Sequence, residues 1–261
     1  MASLDTILNA TRTTILGLRL RRGSLERAAT TRPAPPAFGA GLKGGTVGLI
    51  AEVKRRSPSV GAINEGLDPA GLARAYALGG AAAISVLTEA AFFGGSLHDL
   101  DAVVSAVPVP VLRKDFILDE VQLLEARAAG ASAALLIVRA LEQPALVRLH
   151  AFAAAIGLTP LVETHNRDEI TRALDAGARV IGVNARDLDT FTIDTAKAWH
   201  LLAAIPPECV AIAESGMASP ADVEAAAMAG ADAVLIGSAL ASAGDPAALA
   251  HTLSRIARHA R

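Results

Sequence analysis

The chain has 261 residues, 52% of them apolar and only 3% aromatic, so it can bury one large core built mainly from Ala, Val, Leu and Ile, and disorder is excluded as its main state. With 24 Lys and Arg against 26 Asp and Glu, the formal charge is −2, leaving no surplus of positive charge to hold a nucleic acid. A single cysteine, Cys209, excludes an internal disulfide framework and a multi-cysteine metal fold, and fits a reducing compartment such as the cytoplasm.

From the N-terminus, MASLDTILNATRTTILGLRLRRG carries scattered arginines and Asp5 but lacks the apolar run and small-residue cleavage site of a secretory signal. It reads as a surface helix belonging to the fold, in preference to an organellar transit peptide. No run of about 18 apolar residues follows, so no membrane span is expected. Residues 32–46, RPAPPAFGAGLKGGT, break all periodicity. They divide the chain into a helical extension with its linker, residues 1–46, and residues 47–261, the two forming one domain.

Beyond that break the pattern alternates. Strand-length apolar runs occur at 47–53, 82–87, 109–113, 133–138, 159–162, 180–183, 210–213 and 233–236. Intervening segments with three-to-four spacing, such as 69–78, 120–129, 143–155, 167–176 and 220–229, read as helices. Four junctions look alike, at Gly79-Gly80, Ala129-Gly130, Ala176-Gly177 and Ala229-Gly230: a helix ends in a glycine suited to a left-handed cap and the chain turns into a buried strand. Strands without polar alternation are covered on both faces, and helical crossovers make them parallel. Eight such units predict an α/β fold, a (β/α)8 TIM barrel with an N-terminal helical extension. An open doubly wound sheet is disfavoured because no G-x-G-x-x-G follows the first strand.

In such a barrel the strands deliver functional groups at their C-terminal ends. Here the first ends in Glu52 and Lys54, the third in Lys114 and Asp115, the fifth in Glu163, the sixth in Asn184 and Arg186, the seventh in Glu214 and Ser215, and the eighth in Gly237 and Ser238. Converging buried charge is costly, so a purely structural protein has no reason to assemble it. Glu52 and Lys54 are two apart and point into the barrel together, while Val53 faces the helices. Ser57-Pro58-Ser59 turns the chain out of the strand and offers hydroxyls and N–H groups at the rim. Glu214-Ser215-Gly216 and Gly237-Ser238-Ala239 lie where barrels commonly hold a phosphate. Two lysines among carboxylates should be held charged, with mutual repulsion lowering one of them.

Taken together, IAEVKRRSPS (50–59), SVLTEAAFFGGS (85–96), LRKDFI (112–117), LLIV (135–138), LVETHN (161–166), IGVNARDL (181–188), AESGM (213–217) and LIGSAL (235–240) resemble the indole-3-glycerol-phosphate synthases of tryptophan biosynthesis. The likeness covers nearly the whole chain, and LDTIL is similar to the family's extra helices, which cover the barrel bottom or border the active site. The resemblance implies a carbon–carbon lyase without metal or organic cofactor. Such an enzyme closes the pyrrole ring of indole from 1-(2-carboxyphenylamino)-1-deoxyribulose 5-phosphate, losing carbon dioxide and water. On that resemblance Lys114 matches the general acid, Glu163 the base of the dehydration, and Lys54 a second lysine that contacts the substrate carboxylate and has also been considered as an acid. Glu52, Asn184 and Glu214 match residues that hydrogen-bond the ribulose hydroxyls and hold the lysines. Ser215, Gly216, Gly237 and Ser238, with Ser57 across the mouth, match the phosphate site.

Phe93 and Phe116, with Leu135 and Leu188, match the apolar pocket for the anthranilate ring. Arg186 is expected to border it, an ion pair with Asp187 or another carboxylate being the alternative. Phe191 stands where the family often has an aliphatic residue, which leaves the pocket's fine shape open. Trp199 and Tyr76 read as packing, and the histidines show no ligand spacing, so no metal is assigned. The expected partner is a phosphorylated small molecule, with no nucleic acid or membrane, and the chain a monomer or weak homo-oligomer. Three other readings compete. A phosphoribosylanthranilate isomerase would need a cysteine near the end of the first strand, whereas Cys209 precedes the seventh. A Schiff-base aldolase would use an inward lysine, and a non-catalytic barrel subunit should have lost acid and base residues, which this chain keeps.

Overall fold

In the computed structural model, residues 3–57, 61–62 and 66–259 are described. Helix α1 (Leu4–Arg19) starts at Ser3, whose hydroxyl accepts from the Thr6 N–H, and Asp5 in its first turn and Arg19 in its last suit the helix dipole. Its first half presents Leu4, Ile7 and Leu8 to the inside of the barrel. Its second half, with Leu25 and Ala29 of α2 (Arg22–Thr31), packs on Val121 and Leu124 of α5 (Glu120–Ala128). Phe38 and Leu42 then join the same interior cluster, where Phe38 lies beside the start of a strand at Thr159. The chain ahead of the barrel thus lines the mouth and plugs the opposite end, so both family placements of the extra segment occur in one chain.

Eight parallel strands close on themselves: β1 (Gly48–Val53), β4 (Ala83–Leu87), β5 (Val111–Lys114), β6 (Ala133–Ile137), β7 (Thr159–Thr164), β8 (Val180–Asn184), β9 (Val210–Glu214) and β10 (Ala233–Ile236), with β10 pairing back to β1. Every apolar run of the sequence became one of them. Helices Pro69–Leu78 (α3) and Gln143–Ala155 (α6) match the expected spans, and Arg167–Asp175 (α7) and Pro220–Met228 (α9) fall one residue short. At the junctions Gly80 and Gly177 take φ +88°, and the next N–H reaches back five residues, Ala81 to the Tyr76 carbonyl at 3.0 Å. That is the left-handed cap the sequence pattern anticipates.

Several boundaries differ from the sequence reading. The third barrel strand begins at Val111 because Pro110 has no N–H for the ladder, and Val111 N–H bonds Ser132 Oγ at 3.2 Å. The fifth, sixth and seventh strands run on through Glu163, Asn184 and Glu214, so these groups sit on hydrogen-bonded backbone and not on loops. After β1, Arg56–Ser57 (β2) pairs antiparallel with Gly61–Ala62 (β3), a hairpin the sequence reading took as a plain turn. Ser57 is placed by its backbone alone; its side chain, with Pro58 and Ser59, lies outside the described residues.

Side chains divide by strand parity. Inward positions such as Ile50, Leu112, Leu135, Leu161 and Ile212 fill the barrel. Outward ones such as Leu49, Val53, Ile84 and Val183 meet the helices, as do Tyr76, fully buried on α3, and Trp199 on α8 (Thr195–Leu202). Cys209 is buried just ahead of β9, its Sγ 3.6 Å from the Ala178 carbonyl, at the end of the barrel away from Glu214.

Candidate active site

On β1 the two-residue period turns Glu52 and Lys54 the same way, and Lys54 Nζ lies 2.9 Å from Glu52 Oε1. The pair fits against β10 because position 237 has no side chain: a Cβ there would lie 2.4 Å from Glu52 Oε1 and 3.2 Å from Lys54 Nζ. Across the mouth, Lys114 Nζ at the end of β5 stands 3.4 Å from Glu163 Oε2 on β7 and 4.0 Å from Glu214 Oε2 on β9. Glu214 reaches this point because Gly182 on β8, opposite Ile212, has no side chain: a Cβ there would overlap Glu214 Oε1. Asn184 accepts the Arg186 N–H on its Oδ1 at 3.0 Å, which fixes its amide beside Glu163.

This arrangement separates the protonation states. Burial opposes charge on Lys114, but Glu163, Glu214 and Glu52 outweigh it and hold the ammonium above its ordinary range. Lys114 is thus held charged by the carboxylates around it. Burial also pushes the Glu163 carboxyl up, yet Lys114, His165 and the Asn184 amide prevail and keep it below the usual value. Glu214 goes the other way: burial, then the Glu163 charge, raise it well above a normal carboxyl, and Lys114 offsets only part of this. The cluster is a lysine cation between two carboxyls that their surroundings drive in opposite directions.

These groups line one cavity of about 540 Å³, within the size range of small-molecule sites. Its apolar wall includes Leu135, Leu188 and the rings of Phe93 and Phe116, whose centroids are 6.2 Å apart at 38°. Phe191 is also on the wall, at φ +58°, so the aromatic lining is larger than the family pattern implies. Opposite, Ser215 and Gly216 take φ +67° and +77°, two consecutive left-handed residues that curl the backbone after β9. With Gly237 and Ser238, the latter opening the four-residue helix α10 (Ser238–Ala241), they border the same cavity.

Arg186 lines it as well and donates from Nη1 to the Phe191 carbonyl at 3.2 Å, whereas the carboxylate of Asp187 is bonded by Arg139 at 3.2 Å. Asp115 borders the same cavity, but its carboxylate is engaged away from Lys114. Its Oδ2 binds Thr88 Oγ1 at 2.6 Å and Arg113 Nη2 at 2.9 Å, and its Oδ1 accepts the Phe116 N–H at 2.8 Å. One residue beyond Lys114, it falls on the opposite side of the strand. Leu4 and Ile7 of α1, with Met217 and Leu87, complete the lining without having been singled out; the amphipathic spacing of α1 was the available signal.

The Gly182 niche is testable. Gly182→Ala is expected to cost about 1–3 kcal/mol by overpacking and to lower turnover by about tenfold or more as Glu214 is displaced. Gly17→Ala is the control, because a Cβ at that helical position meets nothing within 4 Å and should be neutral or stabilising. Thermal melting and steady-state turnover of both variants check this; wild-type values for Gly182→Ala would contradict it.

Fold and site together define a (β/α)8 barrel that gathers a lysine and two carboxyls at the carboxyl ends of its strands, the place where barrel enzymes carry out their chemistry. A family model described as indole-3-glycerol phosphate synthase matches residues 4–253. The chain is 54% identical over 250 residues to indole-3-glycerol phosphate synthase 1 of Streptomyces coelicolor, covering 94% of this chain and 92% of that protein. To the indole-3-glycerol phosphate synthase of Rhodococcus jostii it is 50% identical over 248 residues, again 94% and 92%. The chain belongs to the indole-3-glycerol phosphate synthase family, carboxy-lyases of tryptophan biosynthesis. Among solved structures, a 3-hexulose-6-phosphate synthase aligns with TM-score 0.65 at 22% identity, covering 81% of this chain and 100% of the other. A thiamine phosphate pyrophosphorylase from Pyrococcus furiosus aligns with TM-score 0.61 at 14% identity, covering 79% and 93%; both likenesses concern the barrel.

Proposed function

We propose that Lys114 and Glu163 are the acid and base with which this chain makes indole-3-glycerol phosphate. The substrate, 1-(2-carboxyphenylamino)-1-deoxyribulose 5-phosphate, lies with its anthranilate ring between Phe93, Phe116, Leu135 and Leu188, and with its phosphate at Ser215, Gly216, Gly237 and Ser238. Ser57 completes the phosphate site from the other side, and Arg186 borders the ring. The ring carbon bearing the carboxylate attacks the ribulose ketone while Lys114 donates a proton to the ketone oxygen. The ring cation so formed is the electron sink for loss of carbon dioxide, and Lys54 neutralises the departing carboxylate until it leaves. An acid then protonates the new hydroxyl, which departs as water, and Glu163 removes a proton from the adjacent carbon or nitrogen. Glu52, Asn184 and Glu214 hold the ribulose hydroxyls and keep the lysines in place.

The observation that carries this reading is Lys114 Nζ at 3.4 Å from Glu163 Oε2 and 4.0 Å from Glu214 Oε2, a cation between carboxyls that burial and charge shift in opposite directions. Residues 1–46 are read as part of the same folded unit, since Leu4 and Ile7 line the cavity. We take the chain to work in the cytoplasm as a monomer or weak homo-oligomer; no helix among its described residues is long and apolar enough to cross a membrane. The purified protein should convert the anilino-deoxyribulose phosphate into a product with indole absorbance and fluorescence. Glu163→Gln should cut turnover by more than about tenfold. Absence of an indole signal at any pH would sink the function, and full activity of the variant would sink the assignment of the base.

A further inference from the structure

Glu163 has a second carboxylate oxygen, Oε1, which Lys114 does not serve. Facing it at 3.5 Å is Nε2 of His165, two residues on and therefore on the same side of the strand line. Both atoms are closed to solvent, and neither makes a hydrogen bond within the chain. The other side of the imidazole is tightly held. Glu169, in the first turn of α7, receives the His165 backbone N–H at 2.7 Å and stands 3.2 Å from its Nδ1, both on Oε2. Its Oε1 takes the Asn166 amide at 2.8 Å, and Asn166 in return caps α7 by accepting the Glu169 N–H at 2.9 Å. Thr164 between them turns outward and bonds the Gly182 carbonyl at 2.8 Å, which pins the backbone that carries both Glu163 and His165.

We propose that His165, anchored by Glu169, is a positioning residue for Glu163: its imidazolium holds the Oε1 side of the carboxylate while Lys114 holds the Oε2 side. The inference rests on the reading of Glu163 as the base. A neutral ring donating from Nδ1 to Glu169 would turn the Nε2 lone pair toward a carboxylate oxygen, a repulsive contact that a second ring proton converts into an attractive one. Burial opposes that proton, but Glu169 and Glu163 outweigh it, and His165 titrates above an ordinary histidine. Arg139 is the cation that works against it, and Arg139 is itself paired with Asp187 and Asp189. Around Glu163 the other groups are Lys114, Asn184 and Glu214, with Glu52 beyond Lys114. Since the imidazolium favours the ionised base, removing it must raise the carboxyl, and the acidic limb of turnover must move to higher pH.

The test is the pH profile of kcat for wild type, His165→Gln, Glu169→Gln and Glu163→Gln. His165→Gln should shift the acidic limb upward by about one pH unit, lower kcat by several fold and change KM by less than about twofold; Glu169→Gln should do the same to a smaller extent. Proton NMR of the wild-type histidines provides a readout free of folding defects: the His165 ring should titrate above the other histidines, and drop in Glu163→Gln. A His165→Gln limb that overlays wild type, or a loss of kcat equal at every pH, would overturn the proposal. Wild-type activity in Glu163→Gln would instead remove the underlying assignment of the base.

Discussion

Lys114→Ala is expected to lower kcat by about a hundredfold or more, the range general acids contribute, with a far smaller change in KM. Two losses coincide in this variant. The proton donor to the ketone oxygen is gone, and so is the cation that Glu163 and Glu214 share at 3.4 and 4.0 Å. Without it the Glu163 carboxyl rises from its depressed value, so residual turnover should need a higher pH than the wild-type enzyme. Lys114→Arg separates the two effects. A guanidinium keeps the positive charge but gives up a proton far less readily, so it should restore the position of the acidic limb without restoring kcat. Steady-state indole fluorescence across pH decides the matter: near wild-type kcat in Lys114→Arg would show that the lysine acts by charge alone, and near wild-type kcat in Lys114→Ala would remove it from the chemistry.

The neighbouring position should matter for stability. Arg113 points to the helix side of β5, where its side chain is 5% exposed and pairs with Asp115 at 2.9 Å and Glu125 at 3.0 Å. It also donates to Thr88 Oγ1 at 3.1 Å and the Gln122 carbonyl at 2.8 Å. Arg113→Ala leaves two buried carboxylates without their cation, a change that costs about 3–5 kcal/mol. At about 2–4 °C per kcal/mol for a chain of this size, Tm should fall by about 6–20 °C. Calorimetry or a denaturant titration measures it, and a loss under about 1 kcal/mol would show that the network adds little. At temperatures where the variant is folded, its kcat should suffer less than that of Lys114→Ala, because Arg113 meets the helices and not the cavity.

The contrast between positions 113, 114 and 115 shows how far local pattern reaches. Period-two alternation assigns Lys114 inward and Arg113 outward with no knowledge of the rest of the chain, and the same rule aligns Glu52 with Lys54. Applied strictly it also sends Asp115 away from the reacting groups, yet its place at the end of LRKD suggested convergence with Lys114. Thr88 and Arg113 hold it outward, and Thr88 comes from the loop after a different strand.

The amino-acid sequence by itself determined the number and order of the barrel strands, the helix ends with their left-handed glycines, the end of the barrel that carries function, and most of the residues gathered there. All of these follow from interactions within a few residues: apolar periodicity, missing N–H groups at proline, and the freedom of glycine at positive φ. Only the tertiary structure decided which charges meet. Lys54, just past the end of β1, pairs with Glu52 on that strand, but Lys114 finds Glu163 and Glu214 on two others. Gly182, unremarkable as a letter in a strand, and Gly237, legible only as part of the phosphate site, leave the space that Glu214 and Glu52 occupy. His165 carried no signal at all until the first turn of α7 brought Glu169 behind it. Protonation states belong to the same class, because they depend on burial and on charges separated by tens of residues in the chain, and closure of the barrel alone sets those distances.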